Sequence, residues 1–409
     1  MRSLMGAPAG VVEHLFRHSA GRITATLARA LGPARLELAE EAVADALVQA
    51  LRTWPQAGVP DNPGGWLFRT ARNRAVDLLR REDLERSKLP LLAELGDGGE
   101  PDSGDDELAM MLLCCHPELV PTSRVALTLK TVGGLGVREI ADALLTKPAT
   151  VAQRLGRAKR WLRESGQPIE LPGPEFVESR VDSVLSVLYL LFNEGYDATV
   201  GEAPVRRELC GEAIRLARLL HLDPRTSTPR ARALLALLLL QASRLPARVS
   251  ESGDLLLLDD QDRDRWDHAM IAEGTRLFDA ACTGPELSAY HVEAAIALCH
   301  VRPGETDWAG VLACYDQLLA LRPSPVARLN RAIALAMVRG PAAGITELER
   351  LEGDPRLARH LPLPAALGAL WLRAGDRGRA AGYYRRALEL PASDAQLRFL
   401  RRRLAECTS

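Results

Sequence analysis

Helical spacing of apolar residues runs through nearly the whole chain, and runs of β-branched residues are scarce. The stretch KPATVAQRLGRAKRWLRESG, residues 147–166, is an example. Its apolar residues recur at intervals of four, three and four: Val151, Leu155, Ala158 and Leu162. These intervals place the side chains on one face of a helix. Alanine, leucine and arginine, all good helix formers, dominate the composition. The sequence therefore predicts an all-α fold.

Length and charge limit the domain count and the class of partner. At 409 residues, the chain predicts two to three domains, on a prior of about 150 residues each. The formal net charge is −1, which argues against binding nucleic acid through bulk electrostatics, because each neutralised phosphate needs a nearby Lys or Arg. A nucleic-acid site must then be confined to one region.

The seven cysteines form no CxxC pair, and the adjacent Cys114 and Cys115 are poor partners for a disulfide. This favours a reduced, cytoplasmic protein. The first residues lack the apolar core of a signal peptide. The most apolar runs, ALLALLLL from Ala233 and VLSVLYLLF from Val184, are far shorter than the roughly 20 residues that span a bilayer. We expect buried helices and no membrane segment.

Four blocks follow one another along the chain. A compact helical block covers 8–83, with predicted helices at 12–31, 36–53 and 66–81, and a second covers 108–165. Between them lies a predicted linker, 84–107, because residues 94–107 hold seven acids and no Lys or Arg. A long helical region occupies 175–409.

The last block contains a repeat. ACYDQLLALRP begins at Ala313 and AGYYRRALELP at Ala381, 68 residues apart, and Gly340 and Gly375 are 35 apart. A period near 34 residues is typical of tetratricopeptide repeats, which stack into an α-solenoid. Generic helical hairpins remain the alternative. With either architecture we expect a scaffold and docking surface.

The segment GVREIADALLTKPATVAQRLGRAK has the pattern of a helix, a short turn and a basic helix, as in a helix-turn-helix. In a major groove, Arg side chains can pair with guanine edges, each worth about 1–3 kcal/mol of discrimination. Many solvated helices have a similar charge pattern, so the neighbouring segments must decide. The candidate DNA-binding residues here are Thr150, Gln153, Arg154, Arg157 and Arg160.

Three segments together resemble the extracytoplasmic-function (ECF) sigma factors of the sigma-70 family. REIADALLTKPATVAQRLGRAK is similar to their promoter-binding helix-turn-helix, which reads the minus-thirty-five element. NPGGWLFRTARNRAVDLLRR is similar to their minus-ten helix, and LELAEEAVADALVQALRTWP to the helix that docks on the polymerase clamp. Three motifs in the family's order are more specific than any one of them.

The resemblance implies two further sets of site residues and two partners. On the minus-ten helix, with a predicted inward stripe of Leu67, Ala71, Ala75 and Leu78, the residues implied to contact DNA are Arg69, Arg72, Asn73 and Arg80. The residues implied to bind polymerase are Glu37, Glu40, Glu41, Asp45 and Gln49. The partners implied are promoter DNA and core RNA polymerase, through its clamp helices and flap. A plain solvated face would also look acidic, and the acidic linker suits either an RNA mimic in the polymerase cleft or a flexible tether.

The rest of the chain resembles one branch of that family. LLCCHPELVPTSRVALTLKTVGGL, LYLLFNEGY, DDQDRDRWD and DWAGVLACYDQLLALRPSPVARLNRAIA are similar to segments of ECF sigma factors with a tetratricopeptide-type extension. The resemblance then covers nearly the whole chain. It implies a regulatory extension that contacts the sigma domains or the polymerase.

Other functions have weaker support. A stand-alone helix-turn-helix regulator with a tetratricopeptide sensor is the main alternative, but it needs neither the acidic helix nor the minus-ten-like helix. An enzyme with a pocket around NEGY and DQDRDRWD is a third class. CCHP, at 114–117, has no second ligand cluster at zinc spacing, and DQDRD, from Asp260, lacks the glycine and closing glutamate of an EF-hand. We expect no catalytic residue, metal or cofactor.

Overall fold

The computed structural model describes residues 9–82, 89–95, 104–144, 146–196, 206–250 and 254–408. In these ranges the chain forms 19 α-helices, a few short 3₁₀ turns and no β-strand, so the predicted all-α fold is confirmed. The chain divides into two compact units, residues 1–188 and 189–409.

The amino-terminal unit contains eight helices and the first part of a ninth: α1 (Ala9–Leu31), α2 (Leu36–Ala57), α3 (Pro63–Glu82), α4 (Leu89–Glu94), α5 (Gly104–Cys114), α6 (Pro121–Thr131), α7 (Val137–Ala143), α8 (Pro148–Ser165) and α9 (Pro174–Tyr196). Helix α2 runs one turn beyond the predicted end and includes Pro55. Its last turn is held by the buried Trp54, and it ends at Gly58, which has a φ of 84°. Such a positive φ favours glycine.

The predicted linker is partly helical. Helix α4 lies inside it, with Leu92 fully buried, and the first turn of α5 includes the buried Glu107. The remaining linker residues, 84–88 and 96–103, lie outside the described residues. The linker prediction rests on the acids at 94–107, whereas the buried Leu92 precedes them in the chain.

The carboxy-terminal unit continues from α9 with ten more helices: α10 (Arg207–Leu222), α11 (Pro229–Ala242), α12 (His268–Ala281), α13 (Ala289–Val301), α14 (Trp308–Leu321), α15 (Pro325–Arg339), α16 (Pro341–Glu349), α17 (Pro362–Arg373), α18 (Arg377–Leu388) and α19 (Asp394–Thr408). Helix α11 packs against α10, α12 and α13. Its residues from Ala233 to Leu240 are all at most 1% exposed. A helix that is apolar on every side needs neighbours on every side, and ALLALLLL therefore forms the centre of this part of the unit.

From α13 onward, each helix packs against the helices before and after it in the chain. Three turn glycines, Gly304, Gly340 and Gly375, recur at intervals of 36 and 35 residues with φ near 90°. Asp307 and Asp376 cap α14 and α18 by accepting backbone N–H groups. Successive antiparallel helices at this period agree with the sequence repeat, and the tetratricopeptide assignment itself remains a prediction.

No helix in the described ranges is both long enough and apolar enough to cross a membrane. All seven cysteines are free thiols.

We expect Leu237→Ala to lower the free energy of opening of α11 by about 2–5 kcal/mol, because Leu237 is 1% exposed and its truncation leaves a cavity. Hydrogen exchange of peptides from α11 and α13 measures this. Leu222→Ala, at a leucine that is 76% exposed, is the matched control and should change little. Equal effects of the two substitutions would contradict the central position of α11.

Candidate nucleic-acid interface

Helices α7 and α8 form the predicted helix-turn-helix. Helix α7 is capped where the Glu139 carboxylate accepts the Gly136 N–H at 2.6 Å. After a turn, α8 begins with Pro148 at its first position, where a missing N–H costs nothing. Its buried residues are Val151, Leu155, Ala158 and Leu162. The inward stripe predicted from spacing is therefore confirmed, and α6 and α7 pack against α8.

The predicted DNA-binding residues of α8 lie outside that stripe. Gln153, Arg157 and Arg160 are exposed, while Thr150 and Arg154 are partly buried at its edges. A helix with its apolar face on α6 and α7 and its polar face in solvent has the geometry of a recognition helix. Contact with bases remains a prediction for all five residues.

Helix α3 presents a second set of polar residues. Arg69, Asn73 and Arg80 are exposed, and Arg72 is partly buried. The inward stripe differs from the prediction at one position: Leu79 is buried, whereas Leu78 lies at the edge. The reason is that Phe68 is also buried. At about 100° per residue, Leu79 lies on the same side of the helix as Phe68, and Leu78 lies to one side of it.

The loop before α3 is occupied by its own contacts. The Asn62 side-chain oxygen accepts the Gly65 N–H at 2.9 Å and caps the helix. Any Cβ at Gly65 would lie 2.8 Å from the Asn62 amide nitrogen, so this cap requires glycine. Trp66 packs edge-on against Trp54, with ring centroids 5.4 Å apart. Trp66 thus helps to pack α3 against α2.

The acidic face of α2 is largely paired within the chain. Lys159 donates to Glu40 at 2.6 Å, and Arg163 donates to Glu37 at 3.1 Å. Arg74 of α3 pairs with Asp45. Glu41 and Gln49 are exposed. Of the five residues expected to bind polymerase, three are therefore engaged in intramolecular ion pairs in this conformation.

Two of these ion pairs, Lys159 with Glu40 and Arg163 with Glu37, join the two helical blocks of the amino-terminal unit. Lys159 and Glu40 are each 15% exposed at their side chains, so water screens the pair only weakly. In the sequence, Lys159 and Arg163 belong to the basic helix at 147–166, and nothing near them indicates a partner. Because Glu40 lies 119 positions away, no local spacing could have paired them.

The side chains of the CCHP motif contact residues of α6 and α8. Cys114 contacts the Thr131 hydroxyl at 3.1 Å and Cys115 the Thr128 hydroxyl at 3.5 Å. Burial raises the pKa of the Cys115 thiol to about 12, which disfavours the thiolate that binds metals. His116 packs against the Trp161 ring instead, 4.6 Å between centroids. Among the residues that the structure describes, no group of three or more potential ligands converges.

The segment DQDRDRWD forms 3₁₀ turns and not a calcium loop. Asp262 accepts the Asp264 N–H as a cap. Arg263 donates to the carbonyls of Arg302 and Gly304 and lies over the ring of the buried Trp266, 4.9 Å from its centroid.

Comparisons with known families agree with this order of elements. The family described as Sigma-70 region 2 matches residues 15–85, which include α2 and α3, and Sigma-70, region 4 matches 109–162, which include the helix-turn-helix. The amino-terminal unit thus carries sigma-70 regions 2 and 4. These regions support an RNA polymerase sigma factor, whose partners are core RNA polymerase and promoter DNA. Residues 180–282 match a family of unknown function, DUF6596.

Two kinds of relative are similar to this chain. An uncharacterized protein of Rhizobium meliloti strain 1021 is 38% identical over 383 residues, which cover 90% of each chain. A probable ECF RNA polymerase sigma factor, SigI of Mycobacterium tuberculosis, is 28% identical over 137 residues in strains CDC 1551 / Oshkosh and H37Rv. That match covers 31% of this chain and 47% of SigI.

We expect Lys159→Met to loosen the contact between α2 and α8. Methionine keeps the apolar stem, but the Glu40 carboxylate loses its cation, at a cost of about 1–3 kcal/mol. Hydrogen exchange of peptides covering 36–57 and 148–165 should become faster. Arg160→Met, at the exposed neighbouring position, is the control. If both variants retain the protection of the native chain, the ion pair does not hold the two blocks together.

Proposed function

We propose that the chain is an ECF-type RNA polymerase sigma factor that directs core polymerase to particular promoters and helps to open them. The observation that carries this proposal is the presence of sigma-70 regions 2 and 4 in one chain, with α3 and α8 both presenting exposed Arg residues. In this proposal α8 reads the minus-thirty-five element and α3 the minus-ten element. Polymerase carries out the catalysis, and the chain itself acts in the cytoplasm without a catalytic residue or cofactor.

Opening a promoter requires capture of unstacked bases, each held by contacts worth about 1–3 kcal/mol. Arg69, Arg72, Asn73 and Arg80 are the residues that we assign to this step. For the minus-thirty-five element we assign the five α8 residues: Thr150, Gln153, Arg154, Arg157 and Arg160.

The acidic face of α2 is the proposed surface for the clamp helices. Glu41 and Gln49 are exposed, whereas Glu37 and Glu40 bind α8 in the free chain. Binding to core through all five residues therefore requires separation of α8 from α2. We infer that a basic clamp competes with Lys159 and Arg163 for the same carboxylates.

The carboxy-terminal unit is proposed to be a regulatory extension that acts on the sigma domains or on polymerase. Two features support this role: its helices continue for more than 200 residues beyond the sigma-70 matches, and their periodic packing forms an extended surface.

The first test is promoter opening by purified core polymerase on the DNA upstream of the gene, followed by permanganate reactivity of thymines near the start site. Opening should require both core and this protein. Arg69→Ala and Arg157→Ala should each reduce opening about five-fold or more, since each removes contacts worth about 1–3 kcal/mol. Arg276→Ala, an exposed arginine of α12, is the matched control. A protein that shifts duplex DNA alone, without binding core or opening any promoter, would be a stand-alone regulator.

A second test removes residues 197–409. The truncation must keep α9, because Arg180 donates to the Leu112 carbonyl and Arg124 to the Ser183 hydroxyl. We expect promoter opening to change several-fold relative to the full chain once the extension is absent. Thermal unfolding and helix content confirm that the remaining unit is folded. Unchanged core binding together with unchanged opening would contradict a regulatory extension.

A further inference from the structure

A cavity of about 670 Å³ lies within the carboxy-terminal unit. Its walls come from α9, from α13 to α15, and from the chain around the end of α11. The volume falls in the range of about 300–1,000 Å³ that is usual for small-molecule sites. The segments LYLLFNEGY and ACYDQLLALRPSPVARLNRAIA both contribute to it, through Tyr189, Tyr196, Tyr315 and Arg322. The sigma-factor function uses none of these residues.

Positive charge dominates the lining. Arg244, Arg248 and Arg322 line the cavity, and Glu293 is the one carboxylate among its described lining residues. Glu293 is already engaged, because its carboxylate accepts the Tyr189 hydroxyl at 2.7 Å. Burial lowers the pKa of His300 to about 4, so this histidine is neutral at pH 7. The cavity therefore carries more cations than anions.

Arg244 has few favourable contacts for its charge among the residues that line the cavity. Its Nε donates to the neutral Gln261 oxygen at 3.3 Å, and it forms no salt bridge with any residue that the structure describes. Burial and the nearby guanidinium groups of Arg248 and Arg263 lower its pKa. A partly buried cation without an anionic partner is costly. An anion bound beside it removes that cost.

The remaining groups suit an organic molecule. The Arg248 guanidinium stacks on the Tyr196 ring, 3.9 Å from its centroid, which holds its planar fork in one orientation. Tyr189, Tyr315 and Leu318 add apolar and aromatic wall surface. Guanidinium groups bind carboxylates and phosphates through paired N–H donors.

We propose that this cavity binds a small organic anion through a carboxylate or phosphate group held by Arg244 and Arg322. The proposal does not depend on the sigma-factor function. Arg244 and Arg248 also line a second cavity of about 300 Å³ among leucines and Phe399, whereas Arg322 lines only the larger one. Arg322 therefore identifies which cavity is occupied.

The test is calorimetric titration of the full chain, in buffer free of phosphate, with four probes: citrate, 4-hydroxybenzoate, adenosine monophosphate and inorganic phosphate. At least one organic probe should bind with a stoichiometry of one and raise the Tm. The first two probes test a carboxylate ligand and the third a phosphate ligand. Inorganic phosphate shows whether the anionic group alone is sufficient.

Two variants and one control decide the location. Arg244→Gln and Arg322→Gln should each weaken binding ten-fold or more, and Arg322 is exposed, so its replacement should leave the fold intact. Arg276→Gln, an exposed arginine away from the cavity, should leave binding unchanged. The proposal is overturned if no organic probe binds, or if the bound probe has the same affinity for Arg322→Gln as for the native chain.

Discussion

The ion pair between Lys159 and Glu40 joins α8 to α2 within the amino-terminal unit. Lys159 belongs to α8, the proposed recognition helix, and Glu40 to α2, the proposed polymerase-binding helix. The Lys159 Nζ and Glu40 Oε2 atoms lie 2.6 Å apart, and each side chain is 15% exposed. Water therefore screens their attraction less than it does between fully exposed side chains. Arg163 and Glu37 extend it toward solvent. The free chain thereby keeps part of its acidic face covered by its own basic helix.

The acidic residues of α2 and the basic residues of α8 thus bind each other within the chain. An acidic face and a basic face in one chain attract each other before either meets a partner. In the proposed function, polymerase binding then depends on the difference between two affinities, that of α2 for α8 and that of α2 for polymerase.

The carboxy-terminal unit follows a different principle. Its helices pack in chain order, and the apolar α11 anchors the first of them. Where α9 and α11 meet the later helices, arginines and tyrosines line a cavity. Guanidinium groups gain little from apolar neighbours alone. This grouping therefore suits the organic anion that we propose for the cavity.

The sequence by itself determined the helical class, the order of the sigma-70 motifs and the buried stripe of α8, because these depend on residue type and on spacing within one helix. It also placed Arg69, Asn73 and Arg80 of α3 and Gln153, Arg157 and Arg160 of α8 on exposed faces, whereas Arg72, Thr150 and Arg154 are partly buried. The buried stripe of α3 includes Leu79 in place of the predicted Leu78. Only the tertiary structure decided that Glu37, Glu40 and Asp45 are paired, that part of the acidic linker is helical, and that Arg244 and Arg322 line one cavity. These outcomes depend on contacts between side chains that are distant in sequence. The spacing of residues within one helix gives no information about such contacts.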